Sequence, residues 1–220
     1  IKATHYFVDE VLDYAYRHAS EVKRIVDQAD RASIIGQTLA RRAAIDRVNG
    51  KPVTILLGEY TKEANPYSGD TIWRRTDVRN PTRMNEYGLF AATETAVVPR
   101  AYFVPPGYVP KVAPLHELHG VRSRSLARDT TVNAQRFRID STRIAPRQFE
   151  GHRERQVFGA YEAASVTMPA GTLVIAMNQP LARLIFTLLE PRSDDGLLDW
   201  NFLVPDIERE RYYPIAKALR

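Results

Sequence analysis

Apolar residues recur every three or four positions near the start of the chain. Phe7, Val11, Leu12, Ala15, Ala19, Val22, Ile25, Val26 and Ala29 alternate with charged residues, the spacing of one face of an α-helix. The spacing predicts helix from Tyr6 to Val48, with candidate breaks at Ser20 before Lys23-Arg24 and at Ser33 with Gly36. Asn49-Gly50 and Pro52 then stop it, because a left-handed residue and a ring-locked one do not continue a helix.

Beyond Pro52 the pattern shortens. Val53 to Leu57 and Thr71 to Arg75 read as strands around the loop ANPYSGD, and RNPTRMNEYG reads as an irregular crossing. Thr95 to Val98 and Ala101 to Val104 are extended. Short hairpins of this kind are marginal alone, so they are expected to pack on a neighbouring unit. Pro110 to His119 returns to helical spacing and ends at Gly120, followed by a strand from Val121 to Leu126. Two longer β segments, Thr131 to Ile144 and Phe149 to Thr167, carry Gly151 and Gly159 as bends or bulges. Thr172 to Met177 is an uninterrupted apolar strand that calls for cover on both faces. Asn178 is a candidate cap and Pro180 a candidate first helical residue for a stripe of Leu181, Leu184, Ile185, Leu188 and Leu189, which Glu190-Pro191 ends. The fold class is therefore α+β: N-terminal helices (1–50), a β-rich connecting section (51–99) and a C-terminal mixed α/β unit (100–220). The MNQPLARLIF helix and its flanks are expected to serve packing.

Composition adds a core and removes some chemistry. A hydrophobic share of 44% in 220 residues supports a sizeable globular core. No run approaches the ~18 apolar residues of a membrane span, so none is expected. A chain opening on Ile1 instead of Met reads as a processed or excised piece. With no cysteine there are no disulfides and no thiolate metal ligands. The net charge of +5 concentrates between Arg122 and Arg155, where nine arginines face four acids, Asp129, Asp140, Glu150 and Glu154. Arg122 with Arg124, Arg136 with Arg138, and Arg153 with Arg155 are spaced two apart, which puts each pair on one face of a strand. These six are the candidate binding residues, for an acidic or carboxylate ligand; the structural alternative is a solvated outer face that guards a sheet edge. Nucleic acid is not expected as a partner, because the arginines lack interleaved aromatics for base stacking.

Catalytic patterns are sparse. His116 and His119 are three apart on a helix, where a zinc-protease helix wants four with a glutamate beside the first, and a structural role is expected. His5, His18 and His152 read as surface or core residues. There is no G-x-S-x-G elbow, phosphate loop or dinucleotide fingerprint. Ser68-Gly69-Asp70 and Asp194-Asp195-Gly196 have turn chemistry. Asn178-Gln179 presents amides beside a helix start, a place suited to an anion but more often a cap.

The ordered segments VVPRAYFVPPG, HGVRSRSL, TTVNAQRFRID, FEGHRE, MPAGTLVIAMNQPLARLIFTLLEPRSDDGLLDWNF and YYPI resemble the C-terminal region of large bacterial proteins of the zinc carboxypeptidase family. The helical region from Phe7 resembles the closing helices of the preceding peptidase domain. The resemblance implies a parent that removes C-terminal residues with zinc-activated water, and it suggests a periplasmic or secreted location. It also implies that the zinc ligands and general base lie outside this chain. His18 and Glu21 formally fit the family's H-x-x-E, but in the part that resembles the domain's end, where the family's motif lies near its start. The expectation is thus a noncatalytic portion with no catalytic residue, metal or cofactor of its own. Its expected partner is a peptidase domain or chain of the same protein, with peptide substrate as a further candidate ligand. The alternative is an independent binding module that uses the arginines.

Overall fold

The N-terminal stripe folds as α1 (Lys2–Arg17) and α2 (Ala19–Arg31) in a computed structural model that describes residues 2–203, 207 and 210–219. The break falls at His18 instead of Ser20, and it is slight. His18 N donates to Tyr14 O at 3.0 Å and Val22 N to His18 O at 2.9 Å, so the helical ladder runs through it. Neither helix buries a single side chain.

The expected helix to Val48 is not formed. Gly36 takes a φ of +80°, which turns the chain at low steric cost. Gly36 N then donates to Val98 O and Val98 N to Gln37 O, both at 2.9 Å, and these bonds draw the backbone into β1 (Thr38–Ile45), the partner of β4 (Phe90–Val97). Ile34, Ile35 and Leu39 pack on the core, a tertiary demand that overrides local helix propensity.

The chain forms two compact units, Ile1–Arg42 with Glu94–Arg220, and Ala43–Thr93. The second holds one long antiparallel ribbon, β2 (Lys51–Ala64) with β3 (Thr71–Glu86), in register from Lys51↔Glu86 to Ala64↔Thr71 with a bulge between Gly58 and Tyr60. The expected irregular crossing RNPTRMNEYG therefore lies mostly within a strand. Each strand of a two-stranded ribbon has an unpaired outer edge, and Pro81, opposite Leu56, is tolerated there. The tip follows expectation: Asn65 Oδ1 accepts from Tyr67 N at 2.9 Å, and Gly69 has a φ of +76°.

The first unit is built on a six-stranded sheet of order β6-β9-β5-β10-β7-β8. Its strands are β5 (Ala101–Val104), β6 (Arg124–Ser125), β7 (Thr130–Ile144), β8 (Arg155–Met168), β9 (Leu173–Ala176) and β10 (Ala216–Ala218), and neighbours pair antiparallel. The expected strand from Val121 shrinks to two residues. A 3₁₀ turn (Pro106–Tyr108) leads into α3 (Val109–Leu118), and α4 (Ala182–Leu189) follows β9.

Alternation sorts the strands into two faces. Tyr102, Val104, Phe137, Leu173 and Ile175 meet Ile185, Phe186 and Leu189 of α4 in the main core. Phe103, Ala134, Val174, Ala216 and Ala218 form a smaller cluster on the other face. Burying each large α4 side chain contributes ~1.5–3 kcal/mol before conformational entropy is set against it. The helix starts later than its sequence suggests: Leu181 is the N-cap, no side chain caps it, and Asn178 is exposed. The next residue, Gln179, is engaged elsewhere: its amide accepts from Arg122 N at 2.8 Å and donates to Arg122 O at 3.0 Å.

Gly159 sits where the β7–β8 register shifts between Ile139 and Ser141, and a Cβ there would lie 1.8 Å from the Arg138 carbonyl oxygen. Gly159→Ala is expected to cost roughly 1–3 kcal/mol or more, because only backbone movement relieves the clash. Urea denaturation of the two proteins measures it, and an unchanged midpoint would contradict the register.

Candidate functional site

The chemistry-bearing residues gather under α4. Glu190 follows the last turn of that helix, and its side chain is 0% exposed. Lys217 lies between Ala216 and Ala218 on β10; alternation turns it to the α4 face, 3% exposed, where its Nζ donates to Glu190 Oε1 at 2.7 Å. Tyr102 OH donates to the same oxygen at 2.8 Å, and Tyr161 OH to Oε2 at 3.0 Å. Arg41 of β1 stands 3.9 Å from Oε2 and 3.1 Å from Glu94 of β4. Arg192 grips Glu94 with Nε at 2.7 Å and with a second nitrogen, donates to Val157 O at 2.5 Å, and lies over the Phe158 ring.

Burial and charge set the electrostatics. Burial, and next the Glu190 carboxylate, push Tyr102, Tyr161 and Tyr213 well above the ordinary phenol range. Burial also pushes Lys217 down, opposed by Glu190, while Nζ sits 3.8 Å from the Tyr161 ring centre. The hydrogen bond from Arg192 holds Glu94 below its usual carboxylate value. A carboxylate with two phenols and an ammonium resembles acid–base machinery. Its oxygens, however, already accept three donors, and none of its surface meets solvent. The arrangement ties β5, β8 and β10 to the end of α4 and keeps the carboxylate away from solvent. Tyr213 OH is buried without a hydrogen-bond partner among the described residues.

The six arginines are divided among different places. Arg124 pairs in register with Val174, so both point to the outer face of the sheet at its β6 edge, and exposed Arg122 lies two residues before it. Arg136 and Arg138 share the outer face of β7 with Ala134, with β9, β5 and β10 between them and β6. Arg136 stacks over Tyr212 at 4.0 Å, and Arg138 is paired with Asp140 at 2.8 Å and with Glu162. Arg153 and Arg155 line a cavity of about 330 Å³ with Ile144 and Asn201.

The acidic loop is built as a turn, yet it holds one unusual group. Asp194 pairs with Arg42 at 2.9 Å, and Asp195 accepts from the Trp200 indole. Asp199 is pushed up to about 6, first by burial and then by Glu154. His116 is buried with Nδ1 3.0 Å from Val112 O, while His119 is exposed, so the pair shares no ligand position. His18 and Glu21 are 3.7 Å apart on the helix surface. Among the described residues no three His, Asp or Glu side chains converge as a metal set.

Sequence reasoning missed the Glu190 cluster. Its signals were a lysine inside the apolar run PIAKAL and a glutamate closing an apolar helix, each of which also reads as a helix end or an edge.

Comparison with known proteins gives a partial answer. The chain is 27% identical over 120 residues to Carboxypeptidase 2 of Trichophyton tonsurans, covering 54% of this chain and 22% of that protein. Carboxypeptidase 2 of Trichophyton equinum matches at 27% over 119 residues, and that of Trichophyton rubrum at 26%. The chain thus spans about a fifth (22%) of the length of these relatives, which are fungal where the segment resemblance pointed to bacterial proteins. No family model and no solved structure matches.

Glu190→Gln is expected to destabilise the chain by about 3–5 kcal/mol, since it leaves the Lys217 ammonium buried without its counter-charge. Adding Lys217→Met should return at least ~1 kcal/mol, a coupling that a double-mutant cycle in urea reads directly.

Stability should also fall at both ends of the pH range. Above about 10 the unfolded chain gives up tyrosine protons that buried Tyr102 and Tyr213 and partly buried Tyr161 keep. Lys217, whose value is lowered, acts in the opposite sense only up to its ordinary 10.5. Below the ordinary 4.5 of Glu94, the stability that its lowered value supplies is lost. Thermal melts across pH measure both limbs; a flat profile above pH 10 would contradict the burial of the phenols.

Proposed function

We propose that this chain is a noncatalytic portion of a carboxypeptidase-like protein, and that it docks on the peptidase portion through the exposed face of α1 and α2. The observation that carries the reading is that face. Phe7, His18 and Ala29, Val11 and Val22, and Tyr14 and Ile25 repeat with an eleven-residue period, which nearly matches the helical repeat and keeps an apolar stripe straight along a helix. The stripe runs through the slight break at His18, where the Tyr14 and His18 rings stack at 4.3 Å. Phe7 is 69% and Ile25 52% exposed. Soluble helices rarely leave such a stripe in water, so a large apolar exposed patch marks an interaction surface.

The occupant is argued from the relatives. The matched stretch is only 22% of their length, and they are named carboxypeptidases, so the remaining polypeptide of such a protein is the surface this stripe fits. The zinc site and the general base belong to that partner on this reading. The residues of this chain bind and position: the stripe docks, and the closed cluster around Glu190 keeps the sheet rigid behind it.

Titration calorimetry of the chain against the peptidase portion of its parent protein tests the proposal. Binding is expected, and it should change little between low and high salt, because apolar contacts are not screened. Phe7→Ser with Ile25→Ser should weaken it by on the order of 10²-fold or more without lowering the melting temperature. Tyr16→Ser, at an 83% exposed position off the stripe, should leave it unchanged. Absence of binding, or equal loss with the Tyr16 variant, would overturn the reading. So would metal-dependent peptide cleavage by the chain alone that disappears with His18→Ala.

A further inference from the structure

We propose that the outer edge of β2 pairs antiparallel with β2 of a second copy of this chain, which joins two ribbons into one continuous sheet. The ribbon is poorly supported by itself. No residue of β2 or β3 is buried, and among the described residues neither strand has another neighbour in its sheet. A lone two-stranded ribbon is marginal in water, and an added strand is the ordinary remedy.

The prolines show which backbone groups point outward. A proline has no N–H to give to a neighbouring strand, so Pro52 and Pro81 occupy positions that face away from the ribbon's own ladder. Pro81 stands opposite Leu56, and Pro52 has the same parity as Leu56, so both put Thr54, Leu56 and Gly58 on the outer edge of β2. Thr76 Oγ1 donates to Glu59 O at 3.2 Å, which fits odd carbonyls turned inward.

The two outer edges are unlike. That of β3 has Pro81 in its middle, with Arg79 and Arg83 to either side, the features that keep strands from joining. β2 instead runs from Val53 to Gly58 without a proline or a charge, and Leu56 is 58% exposed there. One edge is guarded and the other is open.

The open edge carries its own complement, which is why a second copy fits it. The regular part of β2, before the bulge, begins at Lys51 and ends at Glu59. A two-fold axis at Ile55 sets Lys51 of one copy opposite Glu59 of the other, Val53 opposite Leu57, and Ile55 opposite Ile55, all on one face. Thr54 and Leu56 then meet as hydrogen-bonded pairs through the outward groups assigned above. Lys51 also faces Glu86 within its own ribbon, so the lysine stands in a row between two carboxylates. Sliding one strand by a single pleat loses both pairings of Lys51 with Glu59. The assembly also closes, since each open edge is used once and only the guarded β3 edges remain outside.

Sedimentation velocity on the whole chain, from about 1 µM to about 1 mM, reads the association. A monomer to dimer equilibrium is expected, with a Kd on the order of 1–100 µM, the weak range suited to a single strand pairing. Ile55→Glu and Ile55→Lys each put like charges opposite one another at the axis and should weaken self-association by about 10-fold or more. An equimolar mixture of these two variants should recover most of the loss, because this register places the substituted positions against each other. Neither should change the melting temperature of the monomer much, since Ile55 is 42% exposed. Tyr67→Glu, at a 97% exposed position at the ribbon tip, should leave the dimer intact. So should Phe7→Ser with Ile25→Ser, which separates this result from that of the docking experiment. A chain that stays monomeric to about 1 mM, a mixture that associates no better than either variant alone, a dimer abolished by the α1–α2 substitutions, or a monomer that takes up a strand of another protein instead would each overturn the assignment.

Discussion

An ammonium and a carboxylate shut away from water need each other, and the first unit is arranged around that need. Glu190 ends α4 and Lys217 sits mid-way along β10; either alone would be a bare charge in a region that solvates it poorly. Their 2.7 Å contact, closed over by Tyr102 and Tyr161, fixes where the helix ends relative to the sheet. Such a pair adds little net stability compared with apolar side chains. It gives definition, because any displacement of β10 or α4 strands a charge. The second layer, Arg41 and Arg192 around Glu94, extends the same logic to β1 and β4.

The Glu190 carboxylate, shut away from solvent and holding three donors, fastens β5, β8 and β10 to the end of α4. The surface of the same unit carries the apolar stripe of α1 and α2, where Phe7, Val11, Val22 and Ile25 are exposed.

Where local chemistry decides structure, the sequence was legible. The α1–α2 periodicity, the Asn65 to Asp70 turn, α3 with Gly120 at φ +76°, the β7–β8 pair and the packing role of α4 were all readable from spacing and from Gly, Asn and Pro positions. Long-range pairing was not. The helical reading ran on to Val48 because nothing near Thr38 says that Val98, sixty residues away, will bond Gly36 and Gln37. The proline in RNPTRMNEYG hid a strand, since Pro81 is excluded only from strands flanked on both sides. The Glu190 cluster was invisible for the same reason: its members lie on β5, β8, α4 and β10, and only the sheet order brings them together. Period two correctly put Arg136 and Arg138 on one face, but it could not place three strands between them and Arg124.

Amide hydrogen exchange on the chain, free and then bound to the peptidase portion of its parent, tests the central claim most directly, because it reads the closed cluster and the open helices in one experiment. The account predicts slow exchange in α4 and β10 in both states, and fast exchange in α1 and α2 that slows markedly only in the complex. Helices already protected in the free monomer, or left unprotected in the complex, would contradict it, as would a free chain whose α4 and β10 exchange as quickly as its helices.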